Sequence, residues 1–288
     1  MKVLYITTGT SDYQCGSLFH GLYNVLGEDL THSCDYRMMY AQYTSKEDLL
    51  TFYGKGFTLW GLLPTDFNDR SDLEQKIRNR YFDLIIYGDI RRCQDYLSVV
   101  VETYPKQQIA FIDGADDQSL YSPIADVMLF KRELIFDCKT VFPISFAMPY
   151  EKICNPSSVI KTKTLADYLP NATYKYSYDS EEDYYKGYQE SYFGATHKKA
   201  GWDCMRHYEI LANYSLPYFT DLADCPTLTM TNFPKQLIIA GTRLASQSNI
   251  ESDQYYELLD RAFEYTKKHL VTTSLAKYVL TTIKQHQI

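Results

Sequence analysis

Apolar positions along the chain fall into two kinds of run. Three runs are short and continuous: KVLYIT near the start, FDLIIYGD at 82–89 and QIAFIDG at 108–114. Each is rich in β-branched and aromatic residues. Each stops at a glycine, an aspartate or a Thr-Gly-Thr-Ser turn, which predicts strands buried on both faces. After the first run the period changes. Leu18, Leu22, Val25 and Leu26 make one helical stripe, and Gly27 stands where that helix would end. Tyr96, Val99, Val100 and Val101 predict a helix or a mixed segment, VMLFKREL is a weaker candidate strand, and PISFAMP closes the region. Continuous strands separated by helical stretches predict a doubly wound parallel sheet.

From 150 to 178 the composition shifts toward Pro, Asn, Ser, Thr and Lys, which places a domain boundary near residue 150. The pattern then predicts a helix over about 180–192, a polar loop, a helix over about 204–213, the strand LPYF and a helix starting near Pro234. Two amphipathic helices follow, one carrying Tyr256, Leu259, Phe263 and Leu270, the other entered at Ser274. The expected fold class is α/β with two Rossmann-like domains, 1–150 and 151–288, the second trimmed and ending in helices that pack back.

Composition narrows the function classes. A chain of 288 residues can bury two cores. A formal charge of -7 argues against a nucleic-acid partner held by a general positive field. The seven cysteines are scattered without a CxxC pair, as free thiols in a reducing compartment would be, rather than a disulfide framework or a zinc site. No run approaches the roughly 20 apolar residues of a transmembrane segment, and the N-terminus turns polar too soon for a signal peptide. The expected location is cytoplasmic. Tyrosine, with 28 copies against 14 phenylalanines, suits either core packing or stacking on bases and sugars; residues 174–192 hold seven.

The candidate chemistry centres on HKKAGWDCMRHYEILANYSLPYF, residues 197–219. Asp203 is placed to cap a helix beginning at Cys204. The first turn of a helix has unpaired N–H groups and a partial positive charge. A loop with Gly201, His197, Lys198 and Lys199 ahead of it therefore suits a diphosphate. Arg206 and Glu209, at i and i+3, share a face; the carboxylate can accept from both hydroxyls of a ribose and the arginine can pair with phosphate. The same spacing also fits a surface helix pair worth about 0.2–0.5 kcal/mol beside a solvated loop.

Asp113, Asp116 and Asp117 in IDGADD follow a predicted strand, where doubly wound sheets place their ligand crevice. Three readings fit: a general base for an acceptor hydroxyl, oxygen ligands for Mg²⁺ or Mn²⁺, or turn chemistry. His20, on the first predicted helix, is either a base with a near-neutral pKa or a structural histidine. Lys131, Arg132 and Glu133 read as an ordinary charged patch. GxSxG, GxxxxGK[ST], HExxH and GxGxxG do not occur, which counts against a hydrolase elbow, a P-loop, a zincin and a dinucleotide enzyme.

KKAGWDCMRHYEILANYSLPYFTDL, continuing through CPTLTMTNFPK, resembles the donor-site segment of GT-B glycosyltransferases. SLFHGLYNVLGED, FIDGADD and LFKREL look similar to a bacterial or viral subgroup of such proteins. The resemblance implies a metal-independent glycosyltransferase without a cofactor, which moves a sugar from a nucleotide-activated donor to a hydroxyl acceptor on a glycan or other glycoconjugate. It also implies that Glu209 holds the ribose, Arg206 and Lys199 the diphosphate, and His197 or Lys198 the phosphates or the sugar. Asp113 or His20 would be the catalytic base. Two positions depart from the family pattern: Gly201 stands where retaining members carry a second acidic residue, and Asn213-Tyr214-Ser215 replaces a glycine turn. The alternative expectation is a non-catalytic protein of the same fold that binds a nucleotide or glycan.

Overall fold

A computed structural model gives the fold, and it describes residues 1–66, 68–166, 178–245 and 253–286. The elements run β1 (Val3–Ile6), α1 (Tyr13–Leu26), β2 (Leu30–His32), α2 (Lys46–Thr51), α3 (Leu73–Arg78), β3 (Leu84–Tyr87), α4 (Leu97–Thr103), β4 (Ile109–Asp113), β5 (Met128–Lys131) and β6 (Val141–Pro143). They continue with β7 (Lys163–Leu165), α5 (Glu181–Gln189), β8 (Ser191–Thr196), α6 (Met205–Ala212), β9 (Leu216–Phe219), α7 (Lys235–Leu244), α8 (Asp253–His269) and α9 (Thr272–Gln285). The chain is an α/β protein with two parallel sheets, six strands in the order β2-β1-β3-β4-β5-β6 and three in the order β7-β8-β9, followed by C-terminal helices.

The continuous apolar runs are strands because both faces of the large sheet are covered. Alternate residues divide cleanly between two cores. Val3, Tyr5, Ile86 and Ile112 pack with Leu18, Phe19 and Leu22 of α1 and with Leu275, Ala276 and Val279 of α9. Leu4, Ile6, Ile85 and Phe111 pack with Ile77 of α3 and Val100 of α4. The tail helix α9 thus returns to the first sheet. Gly27 ends α1 at φ 56°, its N–H donating to the Tyr23 carbonyl. In the second sheet, Phe193, Leu216 and Phe219 pack with Tyr208 and Leu211 of α6, Ile238 of α7 and Leu259 of α8.

Several boundaries differ from the expectation. The helix expected over 180–192 stops at Gln189, and SYFGAT becomes the central strand β8 where a polar loop was expected. On α8 the inward face carries Tyr255, Leu258, Leu259, Ala262 and Phe263, while Tyr256 is exposed. Among the described residues no helix is long and apolar enough to cross a membrane.

Candidate functional site

The chain passes from β1 to β2 on one side and then crosses to β3 on the other, so the strand order reverses at β1. Open parallel sheets bind ligands beyond the strand C-termini at such a point. A cavity of about 220 Å³ lies there, lined by Asp12, Gly88, Asp89, Arg91, Arg92, Gly114 and Ala115. A shallower groove of about 550 Å³ opens beside Tyr150, Leu237 and Arg261. None of the sequence-predicted site residues lines it.

Asp113 ends β4 behind the cavity, fully buried. Arg91 grips both its oxygens, at 2.8 and 2.9 Å, and the buried Lys131 ammonium stands 3.2 Å away. The carboxylate also accepts the Ala115 N–H. These bonds make it the counter-charge that allows Lys131 to be buried, rather than an open base. Burial holds the Lys131 ammonium below its ordinary range. Asp12 and Asp89 border the cavity itself. Asp12 caps α1 through the Cys15 N–H at 2.8 Å, and Arg92 pairs with both carboxylates.

His20 lies elsewhere. Its ring is buried, with Nδ1 at 2.9 Å from the Thr272 hydroxyl and Nε2 at 2.9 Å from Glu151. Both nitrogens are engaged in tying α1 to the start of α9 and to the segment after β6. The histidine expected as a base is therefore placed as a structural link.

Lys131, Arg132 and Glu133 are all buried, which corrects the expectation of a charged surface patch. Arg132 and Glu133 pin the 197–204 loop onto the end of β5. Glu133 accepts the N–H groups of Trp202 at 2.9 Å and Asp203 at 3.0 Å, and Arg132 donates to the Asp203 carbonyl at 2.7 Å, to Gly114 and to Asp116. Gly201 is required at this contact: a Cβ there would sit 2.6 Å from Glu133 Oε1. Asp203 does not cap the helix. Cys204 occupies the cap position without a side-chain bond, and the Asp203 carboxylate instead accepts the Phe146 N–H and the Tyr208 hydroxyl, both at 2.8 Å. Burial pushes the Asp203 carboxyl up to about 6. Lys198 and Lys199 remain exposed, the Lys198 N–H reaching Asp221, and His197 is half-buried.

Arg206 and Glu209 both lie inside the seam between the two sheets, 8% and 6% exposed. That burial excludes the exposed surface pair. Glu209 accepts the Tyr184 hydroxyl at 2.7 Å and the hydroxyl of Thr58, which stands on a loop of the first sheet's side. Burial raises the carboxyl above its usual range. The Thr58 hydroxyl also meets the Tyr185 hydroxyl at 2.7 Å, and its N–H donates to Glu181. Beside this group His207 is fully buried, between the Thr196 hydroxyl and the Trp202 carbonyl, both at 2.9 Å; burial pushes it down to about 3.

Arg206 and Glu209 thus share the buried part of α6, Gly201 packs on Glu133, and His197, Lys198 and Lys199 stand on the loop before the helix, while Asp113 stands behind the cavity and His20 stands apart. Sequence reasoning missed Thr58, Glu181, Arg132 and Glu133. The signal for Thr58 was the Gly54-Lys55-Gly56 step just before it; the charged triplet carried no sign of burial. Part of the tyrosine cluster, 174–177, lies outside the described residues. Three of its described members use their hydroxyls around Glu209: Tyr188 donates to Tyr184 at 3.1 Å, Tyr184 in turn donates to Glu209, and Tyr185 meets Thr58. Among the described residues no group of three His, Cys, Asp or Glu is arranged to hold a metal ion. No family model matches the chain, and no curated protein matches it.

Proposed function

We propose that the protein is a glycosyltransferase of GT-B-like arrangement, with residues 1–150 on the acceptor side and 151–288 as a trimmed nucleotide-sugar donor domain. The observation that carries this reading is the placement of the Arg206–Glu209 face of α6. It lies in the seam between two parallel sheets, and the lysine-bearing loop ahead of it is pinned to the end of β5. In this reading the Glu209 carboxylate accepts the two ribose hydroxyls. Arg206 and Lys199 stabilise the diphosphate as it leaves, and His197 and Lys198 hold phosphate or sugar oxygens. The acceptor enters the cavity at the strand-order reversal. Its hydroxyl oxygen bonds the anomeric carbon as the bond to the diphosphate breaks, and its proton passes to a carboxylate. Asp12 and Asp89 line that cavity, whereas Asp113 is fully buried behind it, so one of the two lining carboxylates takes the proton in this reading.

One observation favours a second reading, a nucleotide- or glycan-binding protein without turnover: the Glu209 oxygens and the Asp113 carboxylate are all engaged within the protein itself. Incubation with UDP-, GDP-, dTDP- and CMP-sugars, with release of free nucleotide and thermal shift as readouts, separates the two. Slow hydrolysis of one donor is expected. A thermal shift without turnover would support the binding protein, and neither signal would overturn both readings.

A further inference from the structure

The loop that meets Glu209 has an unusual backbone. Gly54, Lys55, Gly56, Thr58 and Gly61 all have positive φ, at 68°, 55°, 69°, 78° and 70°. For Thr58, a β-branched residue, that conformation is strained. Such strain persists only where the surroundings over-determine it.

Here the surroundings come from across the seam. The Thr58 N–H donates to Glu181 Oε1 at 2.5 Å, and Lys152 holds the other Glu181 oxygen at 2.6 Å. Lys55 reaches the Tyr178 carbonyl at 2.6 Å and Asp179 at 2.8 Å. The Phe57 ring stacks on Tyr184, with centroids 5.8 Å apart. At the centre the Thr58 hydroxyl donates to Glu209.

A threonine hydroxyl is a secondary alcohol, as are the 2′- and 3′-hydroxyls of a ribose. Thr58 therefore offers Glu209 the same chemical group, in the same donating role, as the ligand assigned to that carboxylate. The hydroxyl of Thr58 and a ribose hydroxyl compete for one oxygen.

We propose that the 54–61 loop is an autoinhibitory strap. It closes the seam by presenting Thr58 to Glu209 as a substitute for a ligand hydroxyl. A ribonucleoside diphosphate opens it by displacing Thr58. The proposal rests on the reading of Glu209 as the ribose carboxylate. It adds that apparent affinity is reduced by the fraction of protein in which the strap is closed. The ligand class it selects is one with vicinal secondary hydroxyls, since a single hydroxyl gains nothing over the one it replaces. Release of the strained Thr58 backbone favours opening once the hydroxyl has been displaced.

The test uses the full chain, calorimetric titration with UDP, GDP and CDP, and the rate of tryptic cleavage after Lys55. Thr58→Val keeps the branched shape and removes the hydroxyl. Lys152→Met loosens the strap through Glu181 without touching Glu209, and serves also if the valine variant does not fold. Both variants are expected to bind the preferred diphosphate more tightly than the parent, by roughly tenfold for Thr58→Val. Both should also be cut faster after Lys55, and the diphosphate should speed that cut in the parent chain. Weaker binding by the variants would make the loop part of the ligand's own site and overturn the strap. Unchanged affinity and unchanged cleavage would overturn it as well. If the parent chain binds none of the three diphosphates, the reading of Glu209 itself falls, and the strap's ligand with it.

Discussion

His207 and Asp203 sit four residues apart in the same buried turn and are displaced in opposite directions. His207, held at about 3, stays neutral in the folded protein while the unfolded chain takes up a proton below about 6.5. Its contribution is present above 6.5 and is lost as pH falls toward 3. Asp203, raised to about 6, binds a proton in the folded protein that the unfolded chain has released above about 4. Its contribution is present below 4 and is lost as pH rises through 6. Between about 4 and 6 the two slopes cancel, and below 4 only the histidine slope remains. Asp203→Asn removes one of them. Urea unfolding as a function of pH should therefore show the variant losing stability relative to the parent, by on the order of 1 kcal/mol per unit, as pH falls from 6 to 4. Parallel curves for the two proteins across that interval would contradict the assignment.

At the level of elements, the approach of α9 to α1 depends on the space left by Gly21. A Cβ there would lie 2.0 Å from the Thr272 carbonyl oxygen, which is backbone and cannot swing aside. Gly21→Ala should therefore push the helices apart and lower stability by about 1–3 kcal/mol, the range for overpacking, although alanine is the better helix former. A melting temperature equal to or above that of the parent would show that the tail is not packed in this way. Such packing explains which elements could be read from sequence. β1, β3 and β4 were legible because covering both faces of a parallel sheet demands continuous apolar runs, and α1 because its stripe and its Gly27 are local signals. β8 was not. SYFGAT has no clear period, and it becomes a strand through its place between β7 and β9. For the site, the Arg206–Glu209 spacing was legible because both residues share one helix. Thr58 was not, because it reaches Glu209 from 151 residues away. Lys131, Arg132 and Glu133 looked like a solvated patch because their partners, Asp113, Asp116 and the 202–203 backbone, come from other segments.

For the whole molecule, contacts across the seam include Arg132 and Glu133 with the 202–203 backbone, Thr58 with Glu181 and Glu209, and Lys55 with Tyr178 and Asp179. The 197–204 loop is thus fixed to the first sheet, and the carboxylate we assign to the ribose faces the Thr58 hydroxyl. The central claim is that Glu209 holds the ligand as well as the seam. Its most direct test is calorimetric titration of the parent and Glu209→Gln with the preferred ribonucleoside diphosphate, beside their melting curves. Glutamine keeps the shape and an accepting oxygen while removing the charge. The account predicts that the variant remains folded and binds roughly tenfold to a hundredfold more weakly, as expected when hydrogen bonds to a charged group are lost. A folded Glu209→Gln protein that binds the diphosphate as tightly as the parent would contradict it.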